Sequence, residues 1–232
     1  MVAEYPTSAQ EKPVTAHVKI ERKSATNLSR SAGSDAAEVV VWLVALDRSG
    51  AEGIPEMRIE KRPQIVQKNK TFQPHLTVVP VGSVVDFPNH DPFFHNVFSL
   101  FDGKRFDLGL YEAGVTNSVR FDHSGISFLF CNIHPEMSAI VVAVNTPYYG
   151  VSDRLGKVTI KNVVDGKYEL HVWYERGPPE QLKALTRTAQ ISAEFRDFGT
   201  IVVAEDPLFS PVHKNKYGQD YAPPPKSGYP QP

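Results

Sequence analysis

The most informative stretch is residues 128–137, which read FLFCNIHPEM. An apolar, strand-like run ends at Cys131, and His134 and Met137 follow it at intervals of three residues. Thiolate, imidazole and thioether together suit copper in both of its oxidation states, because soft sulfur ligands select copper and a weak axial Met is compatible with it. Zinc also binds Cys and His, but it rarely recruits Met. The stretch therefore predicts a mononuclear copper site at the end of a β-strand.

A further ligand has to come from elsewhere in the chain, and His95 is the best candidate. It lies 36 residues before Cys131, directly after a turn-forming stretch at 89–92. The amide of Asn96 is predicted to hydrogen-bond backbone near the thiolate loop, which would lock the two halves of the site together. The predicted ligand set is His95, Cys131, His134 and Met137.

Aromatic residues surround these ligands in the sequence. Water would be excluded from the metal by five of them: Phe93, Phe94, Phe98, Phe128 and Phe130. An exposed apolar patch is expected around the edge of the His134 ring, formed by Phe93, Phe94, Ile133 and Pro135. A dry, rigid site favours electron transfer over substrate turnover.

The composition excludes several classes of partner. The 232 residues include 25 basic and 26 acidic side chains, a formal net charge of −1, so no strong field favours nucleic acid or an anionic membrane. No apolar run approaches the ~20 residues of a membrane span.

The single Cys cannot form an internal disulfide. No export signal is recognisable in residues 1–8, so we expect any signal peptide to be absent from this numbering.

The pattern along the chain predicts an all-β protein. Short runs rich in Val, Ile, Phe, Tyr and Thr are separated by Gly, Pro, Asn and Asp. Helical character is confined to 179–186. The predicted strands are 14–20, 38–46, 65–72, 75–81, 83–87, 96–100, 118–121, 126–131, 138–145, 157–160, 168–175, 189–194 and 200–205. Polar, Pro-containing ends at 1–13 and 208–232 are predicted to be disordered tails.

The copper motif resembles that of the cupredoxins, the blue copper proteins, and in particular their amicyanin- and plastocyanin-like members. The resemblance covers 63–146 and includes residues 78–87, VVPVGSVVDF, which are similar to the cupredoxin segment leading to the first ligand His. It implies a Greek-key β-sandwich over 63–146 and one copper ion.

A second resemblance concerns the flanking segments. Residues 156–160, GKVTI, and 166–175, GKYELHVWYE, are similar to the transthyretin-like sandwich found as a regulatory domain in carboxypeptidases. The implied layout is a smaller β-sandwich built from 14–62 and 147–207, with the cupredoxin inserted in it. This layout resembles bacterial proteins labelled methylamine utilisation proteins.

Other interpretations of the same residues stay open. Alone, Cys131 would be read as an inert buried thiol, and Met137 as core packing. Glu136 could replace Met137 and give a harder, red-copper-type site. His75, His90, His123 and His171 are predicted to be structural or surface residues, and His213 is assigned to the tail without a role. A sugar-binding platform formed by Trp42, Trp173 and Tyr174 competes with core packing of these aromatics.

The predicted function is that of a single-electron carrier and not an enzyme, with electrons passing through the exposed edge of His134. The expected partner is a redox protein such as a cytochrome or a periplasmic oxidoreductase. Copper–thiolate chemistry, the lone Cys and the cupredoxin resemblance favour the periplasm. The alternatives are copper storage or delivery, and a carbohydrate- or protein-binding module with a structural metal.

Overall fold

A computed structural model describes residues 12–22, 36–47, 61–100, 103–210 and 213–221. Their regular secondary structure is almost entirely β-strand, with one short helix among the described residues, which confirms the prediction of an all-β protein. Within these ranges, no helix has the length and apolar character needed to cross a membrane. Residues 1–11 of the predicted N-terminal tail lie outside the described ranges.

The described residues divide into two compact units. Unit 1 contains 12–22, 36–47 and 144–210, and unit 2 contains 61–100, 103–143 and 213–221. Unit 1 is therefore discontinuous in sequence, and the chain leaves it to form unit 2 and returns at residue 144.

Unit 1 consists of two sheets and the helix. Its elements are β1 (Lys12–Arg22), β2 (Val40–Ala45), β12 (Tyr149–Val151), β13 (Lys157–Val163), β14 (Gly166–Trp173), α1 (Pro179–Ala184), β15 (Arg187–Ile191) and β16 (Asp197–Glu205). The three-stranded sheet has the order β13-β1-β16, and the four-stranded sheet has the order β12-β2-β14-β15. The similarity of this unit to transthyretin-like sandwiches stays a prediction.

The core of unit 1 follows from alternation along its strands. In β1 the side chains of Val14, Ala16, Val18 and Ile20 are buried, and the residues that alternate with them are exposed or half-exposed, as expected for a sheet with one covered face. In β2, Val41 and Leu43 are buried, but Trp42 between them is only half-buried. Its ring stacks on His171 of β14 with centroids 5.1 Å apart.

Unit 2 holds the predicted copper ligands. Its strands are β3 (Val66–Lys68), β4 (Thr71–Gln73), β5 (Leu76–Pro80), β6 (Val84–Pro88), β7 (His95–Ser99), β8 (Phe106–Tyr111), β9 (Thr116–Arg120), β10 (Gly125–Phe130) and β11 (Ser138–Val144), whose last residue falls in unit 1. The main sheet has the order β5-β11-β10-β7-β8. Two smaller sheets pair β6 with β9 and β3 with β4.

The strand predicted at 65–72 is instead a tight hairpin of β3 and β4. Asn69 and Lys70 both have a φ of 55°, the left-handed conformation that two-residue hairpin turns require. Lys68 pairs with Thr71 across this turn. The backbone N–H groups of Asn69 and Lys70 at this turn donate to the Asp91 carboxylate, which lies beside the candidate metal centre.

Two strands were not predicted. β8 contains Gly109 with a φ of 66° and carries a register shift against β7, so its pattern is not a simple alternation. β12 lies within 147–153, whose Pro and Gly content is typical of turns and loops. Pairing with β2 makes it a strand despite this composition.

The segment 213–221 also differs from expectation, because it packs on unit 2 instead of belonging to a disordered tail. The backbone N–H of Lys216 donates to Asn132 Oδ1 at 3.0 Å, and its ammonium donates to Asp107 Oδ2 at 2.8 Å. The segment therefore lies against the loop that carries the predicted ligands.

Candidate metal centre

The loop 131–137 connects two paired central strands of unit 2. β10 and β11 are antiparallel neighbours, with Phe130 opposite Ser138. The Cys131 N–H donates to the Met137 carbonyl at 3.3 Å, and the Met137 N–H donates to the His134 carbonyl at 3.1 Å. These bonds fold the loop back on itself, so residues from its two ends lie together.

His95 reaches the same place from the neighbouring strand. It is the first residue of β7, which pairs with β10 through Phe98 and Phe130. Both His95 and Cys131 are fully buried. The separation of 36 residues in sequence is therefore bridged by ordinary strand pairing at one end of the sheet.

The donor atoms of His95, Cys131 and His134 form one compact group. The Cys131 Sγ lies 3.9 Å from His95 Nδ1 and 3.6 Å from His134 Nδ1. The three donor atoms all lie within 4.8 Å of one another. With bonds of about 2.0–2.3 Å, as imidazole and thiolate make to zinc, two donors on one ion lie about 3.4–3.8 Å apart. The two sulfur–nitrogen distances lie in or close to this range, so the sulfur and the two imidazoles could share one ion if the group closed around it.

A buried carboxylate holds the His95 ring from its other side. His95 Nε2 lies 2.7 Å from Asp91 Oδ2. A carboxylate only accepts hydrogen bonds, so Nε2 carries the proton and donates. In the neutral ring the lone pair is then on Nδ1, the atom that faces the Cys131 sulfur. Asp91 was predicted only as part of a turn, although its position four residues before a candidate ligand was a usable signal.

The Asn96 side chain does not reach the thiolate loop, so that expectation is wrong. Its amide donates to Asp107 Oδ1 at 2.7 Å and to the Gly109 carbonyl at 2.9 Å. The backbone N–H of Asn96 instead hydrogen-bonds Cys131, which lowers the pKa of the thiol. Asn96 therefore braces β7 against β8 with its side chain and supports the thiolate with its backbone.

The electrostatics of the donors are set mainly by burial. Burial raises the pKa of the Cys131 thiol, and hydrogen bonds from the backbone N–H groups of Ile133, Asn96 and His134 oppose this effect. Burial and the nearby His95 lower the pKa of His134. His134 is therefore neutral at neutral pH, as metal binding requires, whereas the thiol would lose its proton when a metal binds.

Met137 is fully buried in the same core cluster as Cys131. Its ligation through sulfur stays a prediction. Glu136 is exposed, and among the described residues the donor group contains no carboxylate. Met137 thus lies in the core cluster with Cys131, whereas Glu136 faces solvent.

The aromatic surroundings divide into a buried and an exposed set. Phe98 and Phe130 are buried with ring centroids 5.9 Å apart, while Phe93 and Phe94 are exposed at 37% and 53%. Phe93 lies against both imidazoles, 5.2 Å from His95 and 5.8 Å from His134. Ile133 and Pro135, which flank the half-buried His134 in the sequence, are also exposed.

The remaining histidines lie outside the donor group. His90 is exposed, His75 faces the Ser138 carbonyl, His123 contacts Asp122, and His171 contacts Glu169. His213 was assigned no role, but its ring stacks on Phe130 at 4.0 Å. Tyr221 lies beside it and donates its hydroxyl to the Cys131 carbonyl at 2.6 Å. Nothing in the sequence pattern signalled these last contacts, because they are long-range.

A buried thiol flanked by two imidazoles at the end of a β-sheet defines a candidate mononuclear centre for a soft or borderline transition metal. Comparison with solved structures finds similarity to cupredoxins. A purple cupredoxin from Nitrosopumilus maritimus is 23% identical, with 35% of this chain and 99% of that chain covered and a TM-score of 0.32.

Two further solved structures illustrate the range of the matches. A reduced mutant of amicyanin is 17% identical, with 44% of this chain and 98% of that chain covered and a TM-score of 0.35. A copper-containing nitrite reductase from Thermus scotoductus SA-01 is 23% identical, covering 44% of this chain but 27% of the enzyme, with a TM-score of 0.35. No protein-family model and no curated protein matches the chain.

Proposed function

We propose that the chain holds one copper ion through His95, Cys131 and His134, with Met137 as a weak axial ligand, and acts as a single-electron carrier. The observation that carries the proposal is the buried Cys131 sulfur with imidazole nitrogens 3.6 and 3.9 Å away. A thiolate with two imidazoles and a weak thioether is the ligand set of electron-transfer copper sites. Bound copper would supply a one-electron couple.

The residues around the site support electron transfer and not substrate chemistry. His95, Cys131 and Met137 are fully buried and His134 is half-buried, which favours a largely enclosed site over one that admits a substrate or exchanges its metal with a recipient protein. Storage and delivery need a more open site than this. An exposed Glu136 outside the donor group likewise does not support a red-copper-type centre. The protein would make and break no substrate bond.

The half-buried His134 is the proposed route for electrons. Phe93 contacts its ring, and the exposed residues Phe94, Ile133 and Pro135 are the further members of the proposed apolar patch. An apolar surface of this size suits brief docking with a redox protein, such as a cytochrome or a periplasmic oxidoreductase. We place the protein in the periplasm because thiolate-bound copper and a lone Cys fit that compartment.

The test is a titration of the purified protein with cupric ion. One equivalent should produce an intense thiolate-to-copper absorption in the visible, which a mild reductant should bleach and an oxidant should restore. Cys131→Ser should abolish the band while leaving the far-UV circular dichroism unchanged. His171→Ala, in unit 1, is the matched control and should keep the band. A wild-type protein that stays colourless and retains zinc instead would overturn the proposal.

A further inference from the structure

The contact between Asp91 and His95 is the least expected feature of the site. It joins a 5% exposed carboxylate to a fully buried imidazole across 2.7 Å. Carboxylates are seldom buried without a compensating interaction, because desolvating the charge is costly. This carboxylate must therefore be held by specific donors.

Those donors come from the tip of the β3–β4 hairpin. Asp91 Oδ1 accepts the Asn69 N–H at 2.6 Å, and Oδ2 accepts the Lys70 N–H at 2.9 Å. Both donors are directed at the carboxylate by the left-handed turn. With the His95 Nε2–H, this buried carboxylate accepts three N–H groups, which compensate for the loss of water. The carboxylate is therefore ionised and fixed in place.

We propose that Asp91 is a positioning residue for the first copper ligand, and that its negative charge selectively stabilises the cupric state. The inference rests on the proposed function. Asp91 holds Nε2–H, so the ring cannot rotate and Nδ1 stays directed at the Cys131 sulfur. A carboxylate behind a ligand imidazole also raises the basicity of that ligand.

The preference for the cupric over the cuprous state follows from the charge of Asp91. Reduction adds one electron from the partner protein and lowers the metal charge from two to one, while Asp91 remains a carboxylate. A fixed negative charge close to the metal in a region of low dielectric stabilises the higher charge more. Removing it should therefore weaken cupric binding more than cuprous binding and raise the reduction potential.

Asp107 provides a matched control. It is also a carboxylate of unit 2 that accepts a backbone N–H, from Gly109 at 3.0 Å, and it receives the Asn96 side chain. Asp107 thus contacts Asn96, the residue after His95, and not the His95 ring. If Asp91 only supported the fold, Asp91→Asn and Asp107→Asn would have similar effects on the copper couple.

The experiment measures the reduction potential and the cupric affinity of the copper-loaded protein and both variants. Asp91→Asn keeps an oxygen that can accept from Nε2 but removes the charge. Loss of such a partner typically lowers metal affinity about 10- to 100-fold, and each tenfold excess of cupric over cuprous loss raises the potential by about 59 mV. Asp107→Asn should change the potential by much less.

A second measurement on the wild-type protein does not depend on the folding of a variant. Nitrogen NMR of the cuprous protein should show His95 protonated at Nε2, with a slowly exchanging, strongly downfield proton. If the visible band forms but Asp91→Asn and Asp107→Asn give the same potential, or if His95 Nε2–H exchanges freely, the role of Asp91 is overturned. Absence of the band in the wild type would instead defeat the proposed function itself.

Discussion

The two units differ in what their cores contain. Unit 1 buries mainly aliphatic residues and tyrosines, such as Val41, Leu43 and Tyr168. Unit 2 also buries a group of polar residues near one end of its main sheet, namely Asn89, Asp91, His95 and Asn96. A buried polar group is costly unless it is hydrogen-bonded, so such a cluster is maintained by specific partners.

This difference locates the candidate chemistry of the chain in unit 2. Among the described residues, the group of His, Cys, Asp or Glu that could hold a metal lies in unit 2. Unit 1 offers a packed sandwich without such a group in its described part. A substitution that disturbs packing should therefore lower stability in whichever unit carries it. The copper absorption should respond only to changes in unit 2.

The largest expected loss of stability comes from a matched pair of core truncations. Leu43→Ala in unit 1 and Leu129→Ala in unit 2 both remove a fully buried side chain and should each cost about 2–5 kcal/mol of stability. Leu129 shares a core cluster with Cys131 and Met137, so only Leu129→Ala should alter the copper absorption.

Denaturant unfolding and the visible spectrum check this pair. Leu155→Ala is the control, because Leu155 is 80% exposed and its loss should change neither measurement. A changed copper spectrum in folded Leu43→Ala would show that the two units are not chemically independent.

A smaller effect is expected from the segment 213–221. Tyr221→Phe removes the hydroxyl that bonds the Cys131 carbonyl, which should cost about 0.5–1.5 kcal/mol and slightly shift the thiolate band. Tyr217→Phe is the control, since Tyr217 is 71% exposed. Chemical unfolding and absorption of the copper-loaded protein measure both effects. Identical behaviour of the two variants would show that the segment does not support the site.

The smallest expected effect is the pH dependence of the stability that Asp107 contributes. Burial would raise the pKa of Asp107, but bonds from Lys216, Gly109 and Asn96 lower it. A lowered folded-state pKa contributes stability above the unfolded value of about 3.9 and loses it as the pH falls through the folded value. The stability difference between wild type and Asp107→Asn should therefore shrink below about pH 4. Urea titrations of the metal-free protein at pH 7 and in acid test this, and a constant difference would contradict it.

Local sequence patterns were enough to predict much of the structure. Alternating apolar residues predicted most strands, and the spacing of Cys131 and His134 predicted two donors that the structure brings together with His95. Ligand spacing within one loop and strand alternation are both short-range properties, so a single sequence reveals them. Ligation by Met137 stays a prediction.

The missed features all depend on long-range contacts. The turn at Asn69 and Lys70 lies inside a run that reads as one strand, and the reason for its geometry is Asp91, 21 and 22 residues away. The segment 213–221 has a polar composition typical of disorder, yet it is held by bonds to Asn132 and Cys131. No local pattern encodes such partners.

X-ray absorption at the copper edge of the loaded protein tests the central claim most directly. The spectrum should show one short sulfur scatterer and two imidazole nitrogens, and Cys131→Ser should remove the sulfur while leaving the imidazoles. Copper surrounded only by nitrogen and oxygen in the wild type would contradict the account.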